Sequence, residues 1–436
     1  MEKEDKKNKG GKNSMTNKEL LGKSKLMRKL NKNKGITLIA LVVTIVILVI
    51  LSTVSILAVF GNNGIIAKAQ EEKRLHQEGK ADEENKLDGY KSLGGNYLNE
   101  DTTKNWNLQK VDKVTSEDKI IVPVPKGYTA STVEGEKSVS TGFVIKEGND
   151  GSKTEGINEF VWVPVNDISD IYDEANNAGQ LWDFGTSSSP ENPAVKITYP
   201  TTQNDGCREP DVVTGASSDS DSTSGSKSDV VSTNLQQAGL SSTATASDFK
   251  TQLQTEFNEM IKSVKIYGGF YIGRYETGNL SKSKAVVQKN NTDTSGPTWY
   301  TMYKVCKTIK EEANENVETS MIWGCQWDAT LRWMQTSSNS EVANFPTNSE
   351  EKGNYRTSST IATGSNSAYA VNNIYDMAGN ELDWTIEALD TSFRVERGGS
   401  HYSTASDYPA SSRSNLSPTY GGDGIGCRST LYVKEL

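Results

Sequence analysis

Cysteine and histidine are the side chains best suited to do chemistry here, and both are scarce. Among 436 residues there are four cysteines, Cys207, Cys306, Cys325 and Cys427, and two histidines, His76 and His401. The closest two cysteines in sequence, Cys306 and Cys325, are 19 apart, which excludes a C-x-x-C knuckle or redox pair. Cys427 has its nearest partner in sequence, Cys325, 102 positions away, so no short-range thiolate pair is expected. Two scattered histidines cannot build a three-histidine centre. There is no Gly-rich phosphate loop and no nucleophile elbow. What stands out instead is contact chemistry. Residues 400–426 hold seven Ser, three Tyr, four Gly and one Asn in 27 positions, a makeup like that of antibody-type binding loops.

Elements able to carry such loops are legible around them. Phe249, Leu253, Phe257, Met260, Ile261 and Val264 fall on one helical face, behind Thr245 or Ser247 as a cap. A second helix is expected from Trp323, with Trp327, Leu331 and Met334 at the same spacing. Short apolar runs at Ile120–Pro123, Phe143–Ile145, Phe160–Val165 and Phe270–Ile272 read as strands. Residues 217–232 contain eight Ser in sixteen positions and cannot bury enough surface to fold, so the stretch near 215–247 reads as a disordered insertion. No repeat of fixed period appears.

Charge divides the chain. Residues 1–35 carry twelve Lys/Arg against four Asp/Glu, whereas the whole has a net charge of −9, so the remainder is strongly acidic. Phosphate neutralisation needs a basic face, and no nucleic-acid partner is expected. The uncharged run Ile36–Phe60 is about 37 Å long as a helix, enough to cross a ~30 Å hydrocarbon layer with tilt. With the basic leader 1–35 in the cytoplasm, the Ser/Thr-rich bulk lies outside, at a bacterial cell membrane crossed once. Residues 61–117, charged at Glu71, Glu72, Lys73, Arg74, Glu83 and Glu84, read as a stalk or linker.

The junction Asn33-Lys34-Gly35-Ile36-Thr37-Leu38-Ile39 resembles the leader junction of type IV prepilins. That resemblance covers about residues 28–60. It implies a prepilin peptidase as partner, cleavage after Gly35, and Ile36 as a methylated mature N-terminus. Ala40 stands where pilins usually carry Glu, and Gly61-Asn62-Asn63-Gly64 interrupts the helix, which weighs against a polymerising subunit.

Further along, Glu159-Phe-Val-Trp-Val-Pro164, Gly268-Gly-Phe-Tyr-Ile-Gly-Arg-Tyr-Glu276, Trp323-Gly-Cys-Gln-Trp-Asp-Ala329, Asn373-Ile-Tyr-Asp-Met-Ala-Gly-Asn-Glu-Leu-Asp-Trp384, Arg397-Gly-Gly-Ser400 and Gly426-Cys-Arg428 occur in order. Together, from about residue 118 to the C-terminus, they resemble the formylglycine-generating enzyme (sulfatase-modifying factor) family. The resemblance implies an α+β, loop-rich domain of C-type lectin-like fold over residues 118–436. Oxidase members of that family bind copper through two cysteines near the C-terminus. Here no cysteine lies between Arg397 and Gly426, and Cys427 replaces the usual aromatic of a Gly-Phe-Arg element.

The family also implies a calcium site. Asp376 and Asp383 would give side-chain oxygens and Gly379 and Glu381 backbone carbonyls, a donor set that suits Ca²⁺. Asp376 is equally a turn residue before Ala378-Gly379. In lectin-like folds the C-terminal segment faces ligand, which points to His401, Tyr402, Asp407, Tyr408, Asn415 and Tyr420 as contacts, with His401 read as a hydrogen-bonding loop residue. The expected function is a membrane-anchored, non-catalytic, adhesin-type protein binding an extracellular glycan or protein. The alternatives are a formylglycine-generating-type oxidase and a minor pilin-like subunit of a type IV pilus or type II secretion machine.

Overall fold

In the computed structural model of the chain, residues 42–47, 103–197, 220–221, 225–226, 231–311, 314–336, 342–389 and 393–435 are described. The chain divides into two units, Met1–Gly89 and Tyr90–Leu436. Of the first, 42–47 is helical with exposed Val42, Val43, Ile45, Val46 and Ile47. Among the described residues no helix is long and apolar enough to cross a membrane. The leader 1–35, the Gly35-Ile36 junction, the rest of the 36–60 run and the 61–102 part of the stalk lie outside the described residues.

The second unit is a mixed α+β body. Its principal strands are β1 (Val111–Thr115), β2 (Ile121–Pro125), β3 (Tyr128–Ala130), β4 (Val144–Glu147), β5 (Glu159–Pro164), β6 (Trp182–Thr186), β7 (Ser189–Lys196), β8 (Gly269–Gly273) and β9 (Val317–Met321). They continue with β10 (Leu382–Ala388), β11 (Arg394–Arg397), β12 (Arg413–Leu416), β13 (Ile425–Cys427) and β14 (Ser429–Val433). The helices of the body are α1 (Ser232–Gln237), α2 (Ala246–Tyr267), α3 (Trp299–Cys306) and α4 (Gly324–Thr336). An antiparallel six-stranded sheet has the order β9-β14-β8-β5-β4-β3. A four-stranded sheet, β12-β11-β10-β13, pairs β10 and β13 in parallel and sets Asp383 opposite Gly426 and Trp384 opposite Cys427.

Local chemistry explains the elements that position the site. Thr245 caps α2, accepting from Asp248 N–H while the Asp248 carboxylate takes the Thr245 N–H, and Gly268 ends the helix at φ 78°. The apolar face Phe249, Leu253, Phe257, Met260, Ile261 and Val264 is buried, and α2 packs across β8 and β14. Truncating one of its aromatics, Phe257→Ala, should cost about 3–5 kcal/mol. β5 and β8 are buried along nearly their whole length, so they read as continuous apolar runs without alternation. All of α4 except Arg332 and Thr336 is buried, which places Trp327 and its acidic neighbour Asp328 in the interior.

Two expectations are corrected, and one helix is added. The body begins before residue 118, since β1 pairs with β2 and Trp106 is buried. Of the stretch near 215–247, residues 231–247 are ordered, with α1 putting Leu235 and Ala238 into the core, apolar positions that outweigh the Ser-rich flanks; residues 220–221 pair with 225–226, and the rest of the stretch lies outside the described residues. Helix α3 was not expected. Its Trp299, Tyr300, Met302, Tyr303, Val305 and Cys306 are all buried, and only Thr301 and Lys304 mark a polar face, too few positions to establish a helical period.

Candidate functional site

The segment from Asp376 to Asp383 leads into β10 through backbone that most residues avoid. Asp376, Gly379 and Asn380 have φ of 55°, 68° and 59°, and such conformations persist only where their surroundings over-determine them. The turn aims carboxylates inward. Asp376, Glu381 and Asp383 are each 1% exposed and Glu276, just beyond β8, is fully buried. Asp376 Oδ2 accepts from Thr363 Oγ1 (3.0 Å) and Gly364 N (2.7 Å). Glu381 Oε1 accepts from Thr294 Oγ1 at 2.6 Å, and Glu276 Oε2 from Asn380 Nδ2 at 2.7 Å. Asp383 Oδ2 meets Arg428 Nε at 3.4 Å. The second oxygen of each carboxyl, Asp376 Oδ1, Glu381 Oε2, Asp383 Oδ1 and Glu276 Oε1, has no hydrogen-bond partner among the described residues.

Of the four carboxyls, Asp383 alone pairs with the Arg428 guanidinium. Arg428 is held by the carbonyls of Gly273 (3.0 Å), Tyr375 (2.8 Å) and Asp376 (3.0 Å). Burial pushes all four carboxyls up: Glu381 to about 8, Asp383 to about 6, and Asp376 and Glu276 in the same direction, with Glu276 further raised by Glu381. Burial thus disfavours the charged form of every carboxyl in the cluster. Gly426 is required beside it, because a Cβ there would lie 2.5 Å from both Glu381 Oε2 and the Thr294 carbonyl.

Of the expected calcium residues, Asp383 meets Arg428 by its carboxylate and Asp376 by its backbone carbonyl. Glu381, expected to offer only its carbonyl, also turns its carboxyl inward. Gly379 is tied by its N–H to the Gly398 carbonyl at 2.9 Å. Glu276 was missed, although its place at the end of a buried strand in Gly268–Glu276 is a signal, since a carboxylate there must find a partner. The all-oxygen donors fit a hard cation, and their orphaned oxygens lack any other partner. As the side chains lie, no three His, Cys, Asp or Glu among the described residues converge on one ion.

The second feature is a groove of about 320 Å³ between the β6–β7 hairpin, with Trp182, Asp183 and Phe184, and the 406–414 loop, with Asp407, Tyr408 and Arg413. One buried carboxylate secures both walls. Asp328 Oδ2 accepts from Trp182 N at 2.9 Å and from Arg413 Nη2 at 2.7 Å, while Oδ1 pairs with Arg397 Nη2 at 2.6 Å. Glu387 completes the network, 2.9 Å from Arg413 Nε and 3.9 Å from Arg397 Nη1. The Arg332 guanidinium lies 3.4 Å from the Trp182 ring centroid and stacks on it. On the loop side, Tyr355 Oη lies 2.9 Å from the carbonyls of both Gly398 and Tyr408, which share its one hydroxyl proton.

The structure sorts the six expected contacts. Asp407 and Tyr408 line the groove. Tyr402, Tyr408 and Tyr420 are 64%, 41% and 48% exposed, and in the body Leu108 and Val195 are the other large apolar side chains so exposed among the described residues. Asn415 is exposed on β12 but, like Tyr402 and Tyr420, does not line the groove. His401 is not a surface contact: its ring is fully buried, with Nδ1 3.1 Å from the Asn380 carbonyl and Tyr402 packed over it at 3.7 Å. It belongs to the support of the Asn380 turn, in keeping with its reading as a hydrogen-bonding residue.

The expectation of no close thiol pair is corrected. Cys306 Sγ, at the end of α3, lies 3.4 Å from Cys427 Sγ, at the end of β13, across 121 residues of sequence. Both are fully buried, so the pair offers no path to a peptide substrate.

No family model matches the sequence, and no curated protein matches it. Among solved structures the chain is similar to CarF, at 12% identity over 38% of this chain and 87% of that one, with a TM-score of 0.28. It is also similar to Treponema denticola variable protein 1, at 15% identity over 37% of this chain and 84% of that one, with a TM-score of 0.28. Scores this low transfer neither fold nor function.

Proposed function

We propose that the chain is a non-catalytic ligand-binding protein, anchored at the bacterial cell membrane by the 36–60 run, with a C-type lectin-like body outside the cell. The observation that carries the binding reading is the groove between the β6–β7 hairpin and the 406–414 loop. It joins a half-exposed tyrosine to hydroxyl and carboxylate groups on a rigid ion-pair floor. Tyr408 supplies amphipathic contact area at low entropic cost, and Ser406, Ser411 and Asp407 supply adaptable hydrogen bonds. Because Arg413 is already paired with Asp328 and Glu387, the charges left at the rim are the exposed Asp183 and Asp407. That favours a neutral or cationic polar ligand, such as an uncharged glycan or a basic protein segment, over an anionic one. Calcium, held by Asp376, Asp383, Glu381 and Glu276, is the proposed structural cation; it neutralises a buried surplus of negative charge next to β10.

Screening the full-length protein in detergent against glycans and envelope proteins tests this. A ligand is expected whose affinity falls at least tenfold in Tyr408→Ala and is unchanged in Tyr420→Ala. Failure of every class to bind, or equal loss in both variants, would remove the groove as the binding site.

A further inference from the structure

The buried cysteine pair is used by neither the groove nor the carboxylate cluster. Cys427 ends β13 and directly precedes Arg428, whose guanidinium meets the Asp383 carboxylate and the Asp376 carbonyl. Cys306 ends α3, whose Trp299 stacks on Tyr303 and donates its ring N–H to the Thr385 carbonyl of β10 at 2.7 Å. The two sulfurs therefore lie between a helix and the strand that presents Arg428.

We infer that Cys306 and Cys427 are joined by a disulfide when the chain folds in an oxidising compartment. Their Sγ atoms are 3.4 Å apart, against about 2.05 Å in the bond, a gap that rotation of the two side chains has to close. Burial pushes the Cys427 thiol well up, and contact with Cys306 adds to this. The folded thiol therefore forms little thiolate, and the bond must form before the site closes. An external small-molecule disulfide is the oxidant. One cysteine thiolate attacks it, releasing one thiol and leaving a mixed disulfide; the other cysteine thiolate displaces the second thiol. Two protons and two electrons leave the protein, and one disulfide is reduced to two thiols for each cross-link made.

Peptide mapping of the full-length protein, folded with oxidised glutathione or with dithiothreitol, tests this independently of any ligand. With glutathione, a peptide linking Cys306 to Cys427 is expected, together with a melting temperature about 5–10 °C above the reduced form. Cys306→Ser should abolish both the linked peptide and the difference between the two preparations. Should that variant fail to fold, the wild-type map decides alone. Full alkylation of both cysteines after denaturing the glutathione-folded protein would overturn the inference and leave a hydrogen-bonded thiol pair. So would linkage of either to Cys207 or Cys325, or alkylation that appears only once a chelator has removed bound Cu(I).

Discussion

Removing the Asp328 carboxylate should destabilise the body and loosen both walls of the groove together. Asp328 and Arg397 are completely buried and Arg413 is 19% exposed at its side chain. In Asp328→Asn the two arginines keep Glu387 alone, at 2.9 Å from one and 3.9 Å from the other, so the interior gains an uncompensated positive charge. At an effective dielectric constant near 20, one pair at about 4 Å is worth roughly 4 kcal/mol. Breaking a buried pair by removing one partner costs about 3–5 kcal/mol, which agrees. The melting temperature should then fall by roughly 10 °C. Urea unfolding followed by tryptophan fluorescence, at fixed calcium, measures the loss. Amide hydrogen exchange at residues 182–186 and 406–414 reports whether both walls open. Asp407→Asn is the control, because that carboxylate is exposed and should change stability by less than about 0.5 kcal/mol. A loss below about 1 kcal/mol in Asp328→Asn, or faster exchange on one wall alone, would refute the argument that this carboxylate holds the groove.

Calcium should raise the melting temperature of the wild type, by a stability gain of about 2.7 kcal/mol when free calcium is 100 times its Kd, and Asp383→Asn should remove most of that rise; identical melting curves in chelator and in excess calcium would mean that no ion binds. Glu396 on β11 is pushed up to about 7 by burial, against a Ser414 hydroxyl that favours its charged form. Because the folded carboxyl holds its proton more tightly than the unfolded one, its contribution is full below about pH 4.5 and is lost as pH rises through about 7, roughly 3 kcal/mol in all. Glu396→Gln should flatten that part of the stability profile, and an unchanged profile would show that Glu396 titrates normally. N-terminal sequencing of membrane-extracted protein should begin at Ile36, and a sequence beginning at Met1 would leave an uncleaved anchor.

Where the signal was local, the amino-acid sequence was enough. The apolar face and N-terminal cap of α2 and the short runs that became β2, β4, β5 and β8 depend on residues a few positions apart, and local pattern records them directly. Exposure of Tyr402, Tyr408 and Tyr420 agrees with their place in a Ser- and Gly-rich stretch that offers few apolar neighbours with which to bury them. Convergence over long distances was not legible. Glu276 joins Asp376, Glu381 and Asp383, Trp182 and Arg413 meet on Asp328, and Cys306 reaches Cys427, each across roughly a hundred residues or more. No spacing rule encodes such meetings, because they follow from the order in which strands pair, here β8 beside β14 and β13 beside β10. His401 shows the same limit. Its neighbours in sequence mark a surface loop, yet its ring is fully buried against the Asn380 carbonyl, which only tertiary packing brings to it.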